Sequence, residues 1–450
     1  MLKRAYGLVL AAVVSAAFAS SARAVEDSSF DTSDAHVREI VLNAKKAVAQ
    51  QKDADTDASG SPVASKVAAA SNDQVVRHIV VFKAGVPDDR KARIIAANGG
   101  AVTKDLKLIH GVAAVARKGG LVSFEDSLQN NPDVERVEED IRQNWLQNAP
   151  AVAPAGGAVM PPVWGPQRPP DFEPTSTRDR QVMPWGIEEV HAKEAWSVTR
   201  GGGVKVAVVD TGVDSTHPNL RIVGGANMIQ PGASYMDDNG HGTHVAGTIG
   251  ALDGRRGVVG IAPEANIYAV KVLDADGSGT FSDIIAGIQW CADNGIKVAN
   301  FSLGASRGTP SLQEAVAEAT ARGVTIVAAA GNSGSDVGFP AAYPEAIAVA
   351  ATDVNGDVAE FSSRGPQVAI AAPGVNVLST SPGGGYRNLS GTSMATPHIA
   401  GLAVLAIASH GYTTPQEVRL ALMRSAHRLP GVPAEQQGAG IPDASRLVQQ

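Results

Sequence analysis

The chain has 450 residues, a formal net charge of −7, 18% charged residues and 4% aromatic ones. At about 150 residues per domain, that length allows two or three folding units. The acidic balance and the lack of any long basic run exclude nucleic acid as an expected partner. Gly 48 and Pro 26 stay far below the level of a disordered or collagen-like chain. The single cysteine, Cys291, rules out an internal disulfide, and its apolar setting Ile284–Cys291 reads as a buried thiol.

In chain order, Lys3 and Arg4, the apolar run Gly7 to Phe18 and the small-x-small site Ala22-Arg23-Ala24 predict a signal peptide over residues 1–24. The protein is therefore expected to be exported, to the extracellular space or the periplasm, with no membrane attachment after signal removal. Without disulfides, such a protein needs a large core, bound metal or both. Residues 25–74 read as a flexible leader, with one helical pattern from Ala35 to Gln51 behind Asp34.

Residues 75–142 read as a small α/β unit: a strand Val75–Phe82, a helix Pro87 to Asn98, a strand Leu106 to Val115, a helix opened by Ser123, and a strand Val134–Val137. The order is βαβαβ-like, with a hairpin splitting the middle strand. Residues 143–180 carry eight prolines and read as a linker. In residues 181–450, apolar runs Val204–Val209, Ile267–Val272, Val298–Leu303, Val324–Ala329 and Ile347–Ala351 alternate with helical patterns. Those helices fall near His241–Gly250, Ser282–Asn294, Ser311–Arg322 and Thr392–His410. The expectation is a three-layer α/β fold, a mostly parallel sheet with helices on both faces.

Four segments of this unit carry chemistry. Val206–Val209 runs into Asp210-Thr211-Gly212, a carboxylate at the carboxyl end of a buried strand, where working residues of open α/β sheets sit. Alone, Asp210 also fits a turn cap. Asn239-Gly240-His241-Gly242-Thr243-His244 surrounds two histidines with small residues; the pair fits a metal site poorly, because the zincin pattern is absent. Gly391-Thr392-Ser393-Met394 sets a serine at a helix start, where the dipole favours developing negative charge, with Pro397 expected in the first turn. Ala330-Gly331-Asn332 ends a strand in an amide able to donate to an oxyanion.

Together, Asp-Thr-Gly, His-Gly-Thr-His-Val-Ala-Gly and Gly-Thr-Ser-Met-Ala-Thr-Pro-His resemble the subtilisin-like serine proteases, over about Gln181 to the C-terminus. The resemblance implies a serine endopeptidase with Ser393 as nucleophile, His244 as general base, Asp210 as its orienting carboxylate and Asn332 in the oxyanion hole. It implies that extended peptide substrate pairs with Ser302-Leu303-Gly304 on one side and Gly277 to Gly279 on the other. Phe281 would wall subsite 4, and Gly331 and Gly338 would leave S1 deep, for a large apolar P1 residue; Ser333 stands where some relatives carry an acid.

Residues 75–142 resemble the family's inhibitory propeptide, a ferredoxin-like unit that lays its C-terminal tail in the cleft and is cut autocatalytically, here expected between Arg142 and Gln147. A structural calcium ion is implied through Gln181 and Asn219, although Asn219 stands where relatives carry an acid and Arg255 and Arg256 where neutral residues are usual. No cofactor is implied for the chemistry, and a monomer is expected. Three rival readings are a subtilase scaffold used only for binding, an α/β-hydrolase esterase and a dinucleotide enzyme. The esterase needs Gly-x-Ser-x-Gly and the order Ser, Asp, His. The dinucleotide fingerprint needs its glycines after the strand, whereas Gly201-Gly202-Gly203 precedes it.

Overall fold

The computed structural model describes residues 75–117, 121–146 and 180–450. The expected signal peptide, the leader helix and most of the proline-rich linker lie outside them.

Period-two alternation in β1 (Val75–Phe82) places Val80 and Phe82 on one face and Ile79 and Val81 on the other, and both faces are buried. Val80 and Phe82 pack on Ile95 of α1 (Asp88–Ala97) and on Phe124 and Leu128 of α2 (Leu121–Gln129). Ile79 and Val81 join Leu106, Leu108, Ile109 and Ala113 in the core of the larger unit. The expected strand over 106–115 is instead two strands, β2 (Gly100–Leu106) and β3 (Gly111–Arg117), separated by a 3-10 turn over Lys107–Ile109. His110 ends that turn in the left-handed region. With β4 (Val134–Glu139), the strands form an antiparallel sheet of order β2-β3-β1-β4, the ferredoxin-like arrangement expected.

The larger unit is built on a parallel sheet of seven strands. In chain order these are β6 (Lys205–Asp210), β7 (Ile222–Asn227), β8 (Asn266–Lys271), β10 (Val298–Phe301), β11 (Thr325–Ala329), β12 (Ile347–Thr352) and β13 (Val368–Pro373). Their spatial order is β13-β12-β11-β10-β6-β8-β7. Two short strands, β5 (Arg142–Asn144) and β9 (Ser278–Thr280), pair with each other outside it. The order reverses beside β6, so the carboxyl end of β6 opens at a topological switch point.

Helices α3 (His241–Gly250), α4 (Phe281–Asp293), α5 (Pro310–Ala321) and α6 (Thr392–His410) flank the sheet. A capping box of Thr280 and Asp283 starts α4, and Thr309 with Pro310 at the first position starts α5. Helix α6 is apolar on every face and buried from Thr392 to Ala406, a core helix.

The two units dock through helix ends. Glu138 accepts from the Ser311 backbone N–H (3.1 Å) and hydroxyl (2.7 Å) at the start of α5. Asp140 does the same with Ser282 at the start of α4, at 2.8 and 2.7 Å. These carboxylates meet orphan N–H groups and the positive end of each helix dipole.

Candidate active site

Asp210 is the last residue of β6 and is fully buried. One carboxylate oxygen accepts from the Thr211 backbone N–H at 2.7 Å. Its two oxygens lie 2.8 and 3.0 Å from Nδ1 of His241, the first residue of α3. A carboxylate only accepts, so His241 Nδ1 carries a proton and Nε2 is the nitrogen left for proton transfer. Gly240, at φ 104, turns the chain into the helix. A Cβ on Gly242 would lie 2.0 Å from the Gly212 carbonyl, so only glycine lets α3 approach the turn after β6 this closely. Asp237 secures the junction: its carboxylate accepts from Thr211 Oγ1, from the Asn239, Gly240 and Thr243 backbone N–H groups and from Thr243 Oγ1.

The imidazole beside Asp210 is thus His241, which corrects the expectation for His244. One turn further along α3, His244 is fully buried and directs Nε2 at the Val377 (3.0 Å) and Arg387 (3.1 Å) carbonyls. These belong to β14 (Val377–Ser381) and β15 (Gly385–Leu389). Carbonyls only accept, so the His244 proton sits on Nε2 and its Nδ1 has no partner among the described residues. Burial, with Arg387 and His241 nearby, pushes its pKa well below the ordinary imidazole value. It packs the helix onto the hairpin and has no route to a substrate proton.

Ser393 is the second residue of α6, and α3 packs against α6. Pro397 is the sixth helical residue, beyond the first turn where it was expected. It has no N–H for the Ser393 carbonyl four residues back. That carbonyl accepts instead from Ser302 Oγ at 2.7 Å, and Ser393 Oγ donates to the Ser302 carbonyl at 3.1 Å. The proline thus frees the acceptor that ties the segment after β10 to the serine. Asn332 Oδ1 accepts from the Thr392 N–H (2.8 Å) and hydroxyl (2.9 Å). This fixes the amide orientation and leaves Nδ2 without a partner among the described residues. Gly331 sits at φ 113, its N–H bonded to Thr392 Oγ1 at 3.1 Å. Gly338 donates to the Ala330 carbonyl at 2.9 Å, and a Cβ there would stand 3.0 Å from the Ala305 carbonyl.

Between Gly277–Thr280 and Gly304 lies the chain's own segment 142–146. β5 pairs antiparallel with β9, Trp145 N–H donates to the Gly277 carbonyl (2.9 Å), and Gly304 N–H donates to the Trp145 carbonyl (3.0 Å). The buried Trp145 indole donates to the Gly279 carbonyl at 3.0 Å and meets Phe281 edge-on at 5.0 Å. Leu146 packs on Gly277, where a Cβ would collide with its side chain. Arg142 pairs with Asp274. Both predicted peptide-binding edges and Phe281 therefore already hold an extended strand. Trp145, Asp237 and the Ser302–Ser393 exchange lie outside the motifs that the sequence offers.

Gln181 and Asn219 do come together, on the loop before Gly257, but their donor set does not fit a calcium ion. Asn219 Oδ1 accepts from the Val258 N–H (2.9 Å), which orients its Nδ2 toward the Leu252 carbonyl at 3.0 Å. Gln181 Nε2 donates to the Leu252 (3.0 Å) and Val258 (3.3 Å) carbonyls. The Leu252 and Val258 carbonyls and Asn219 Oδ1, oxygens a hard cation would need, each face N–H groups.

The family model for the Subtilase family matches residues 201–440. Subtilisin BL from Lederbergia lenta is 55% identical over 227 residues, covering 50% of this chain and 84% of its own. M-protease from Shouchella clausii shows the same identity over 227 residues, covering 50% of this chain and 60% of its own length. A thermostable alkaline protease from Halalkalibacterium halodurans is 47% identical over 271 residues, 60% of this chain and 74% of its own.

Proposed function

This chain belongs to the subtilase family of serine endopeptidases, and on that premise we propose that it hydrolyses peptide bonds with Ser393 as nucleophile, His241 as general base and Asp210 as the carboxylate that orients it. The observation that carries the reading is the His241 Nδ1 to Asp210 Oδ1 contact of 2.8 Å. In the forward step, Ser393 Oγ attacks the scissile carbonyl and His241 Nε2 accepts its proton. The leaving amine then takes that proton from His241, giving an acyl-enzyme that water hydrolyses by the same route in reverse. Asp210 keeps the tautomer and stabilises the imidazolium while remaining ionised. Asn332 Nδ2 and the Ser393 backbone N–H hold the tetrahedral oxyanion. The Ser302 carbonyl, which now takes the Ser393 hydroxyl, is also the acceptor for a substrate N–H on that edge; such a bond would release the hydroxyl toward His241.

Substrate binds as an added strand between Gly277–Gly279 and Ser302–Gly304, so main-chain pairing gives broad specificity. Gly331 and Gly338 leave an S1 pocket for a large apolar P1 residue, with Phe281 at subsite 4. The protein is exported and made as a zymogen, residues 75–142 being the inhibitory propeptide, cut between Arg142 and Gln147. The tail seated between the two edges supports this.

Expressing the full chain and its Ser393→Ala variant tests the reading. Wild type should appear shortened by the amino-terminal unit and digest casein, while the variant accumulates uncut. A wild type that stays uncut and inert would instead favour a subtilase scaffold kept for binding.

A further inference from the structure

We propose that the junction of Gln181, Asn219 and the loop Leu252–Val258 is a metal-free lock, held by amide hydrogen bonds where the family resemblance implies calcium. The argument turns on one atom. Were residue 219 a carboxylate, an oxygen would face the Leu252 carbonyl oxygen, and only a cation between them would make the contact favourable. Asn219 puts an N–H there. Its orientation cannot be reversed, because Oδ1 is required by the Val258 N–H at 2.9 Å. Gln181 is oriented the same way, since Nε2 alone can serve two carbonyls. The Leu252 oxygen thus receives two N–H groups at 3.0 Å each, filling both lone pairs.

The rest of the loop agrees. Asp253 is its one carboxylate, and both terminal nitrogens of Arg200 hold it, at 2.8 and 2.5 Å. Arg200 itself lies over the Trp196 ring at 5.1 Å. Arg255 and Arg256 are exposed and add two positive charges beside the place a cation would enter. Asn219 is buried, and its backbone is fixed as well: its N–H donates to His217 Nδ1 (3.1 Å) and its carbonyl accepts from Leu252 (2.9 Å). His217 therefore carries its proton on Nε2 and donates it to the Gly385 carbonyl at 3.0 Å. The network closes without a metal.

Thermal unfolding of the full chain carrying Ser393→Ala, which prevents self-digestion, gives the test. Melting is compared in excess chelator and in millimolar calcium, with and without Asn219→Ala. The lock predicts that Asn219→Ala lowers the melting temperature by about 2–4 °C, equally in both buffers. Any calcium-dependent rise should persist unchanged in that variant, being due to other sites. A rise in the parent that Asn219→Ala abolishes would overturn the proposal. Gln181→Ala, at the partly exposed edge of the network, repeats the comparison if Asn219→Ala does not fold, with the same two outcomes. Calorimetric titration of calcium into the parent and Gln181→Ala chains must show no binding that depends on Gln181.

Discussion

The first and second turns of α3 carry the same side chain and do opposite things with it. His241, at the helix start, faces a buried carboxylate through Nδ1, so its free nitrogen is the one that can move a proton. His244, one turn in, faces two carbonyls through Nε2 and is sealed from solvent. Three residues separate them, and what differs is the partner's hydrogen-bonding polarity. A histidine's chemistry is set by what its other nitrogen touches, which spacing alone does not reveal.

Replacing each histidine is the sharpest way to break the comparison. His241→Ala should cut kcat by about 10⁶-fold, a magnitude that is subtilisin's own. If His244→Ala has that effect in protein shown to be folded, the assignment is reversed. Asn332→Ala should lower kcat by about 10²–10³-fold, again subtilisin's figure, with KM little changed in a peptide assay. His244→Ala should instead cost about 2–4 kcal/mol of stability in urea unfolding, through a void and two orphaned carbonyls. Its kcat per folded molecule should stay within about threefold, since it touches no reacting atom.

Acid sharpens the contrast further, because buried neutral histidines resist protonation. His398, whose Nδ1 donates to the Met394 carbonyl at 2.9 Å, is lowered by burial from 6.5 to about 4. His244 is lowered as well. A depressed pKa means that the unfolded chain binds the proton first. The stabilisation is therefore complete above pH 6.5 and drains away as pH falls toward 4, by roughly 3 kcal/mol for His398. Urea midpoints of the Ser393→Ala chain between pH 8 and pH 4 should trace this fall, and His398→Phe should flatten part of it. The smallest effect is expected at the docking caps: Glu138→Ala should weaken seating of the amino-terminal unit by about 1–2 kcal/mol, read in the full Ser393→Ala chain as faster hydrogen exchange across residues 75–142.

Most of the larger unit was legible in its apolar runs. β6, β8, β10, β11 and β12 lie where continuous Val, Ile and Ala stretches placed them. β7 was not legible because Gly224-Gly225 interrupts its apolar run; a Cβ on Gly225 would sit 2.1 Å from the Ala269 carbonyl of its neighbour strand. β13 ends in Pro373, a residue that an edge strand tolerates. Asp210 and Ser393 stood out because one closes a strand and the other sits at a helix start, and Asn332 because it follows closely on the end of β11. The choice between His241 and His244 was not legible in the motif, since it depends on the phase of α3 against β6. A signal was available in Asn239-Gly240: a chain reversal there makes His241 the helix's first residue, beside the end of β6 that carries Asp210.

The two-sided burial of β1 has a further consequence. Ile79, Val81, Leu106, Leu108 and Ile109 are covered by the larger unit, with β2 against α4 and the turn after it against α5. A fragment 75–146 cast adrift would bring that greasy flank into water with only its other flank to hold it folded. It would loosen into the kind of slack chain that an endopeptidase digests readily. On the proposed zymogen reading, the amino-terminal unit would act as a fuse: intact while seated, and consumed soon after it lets go.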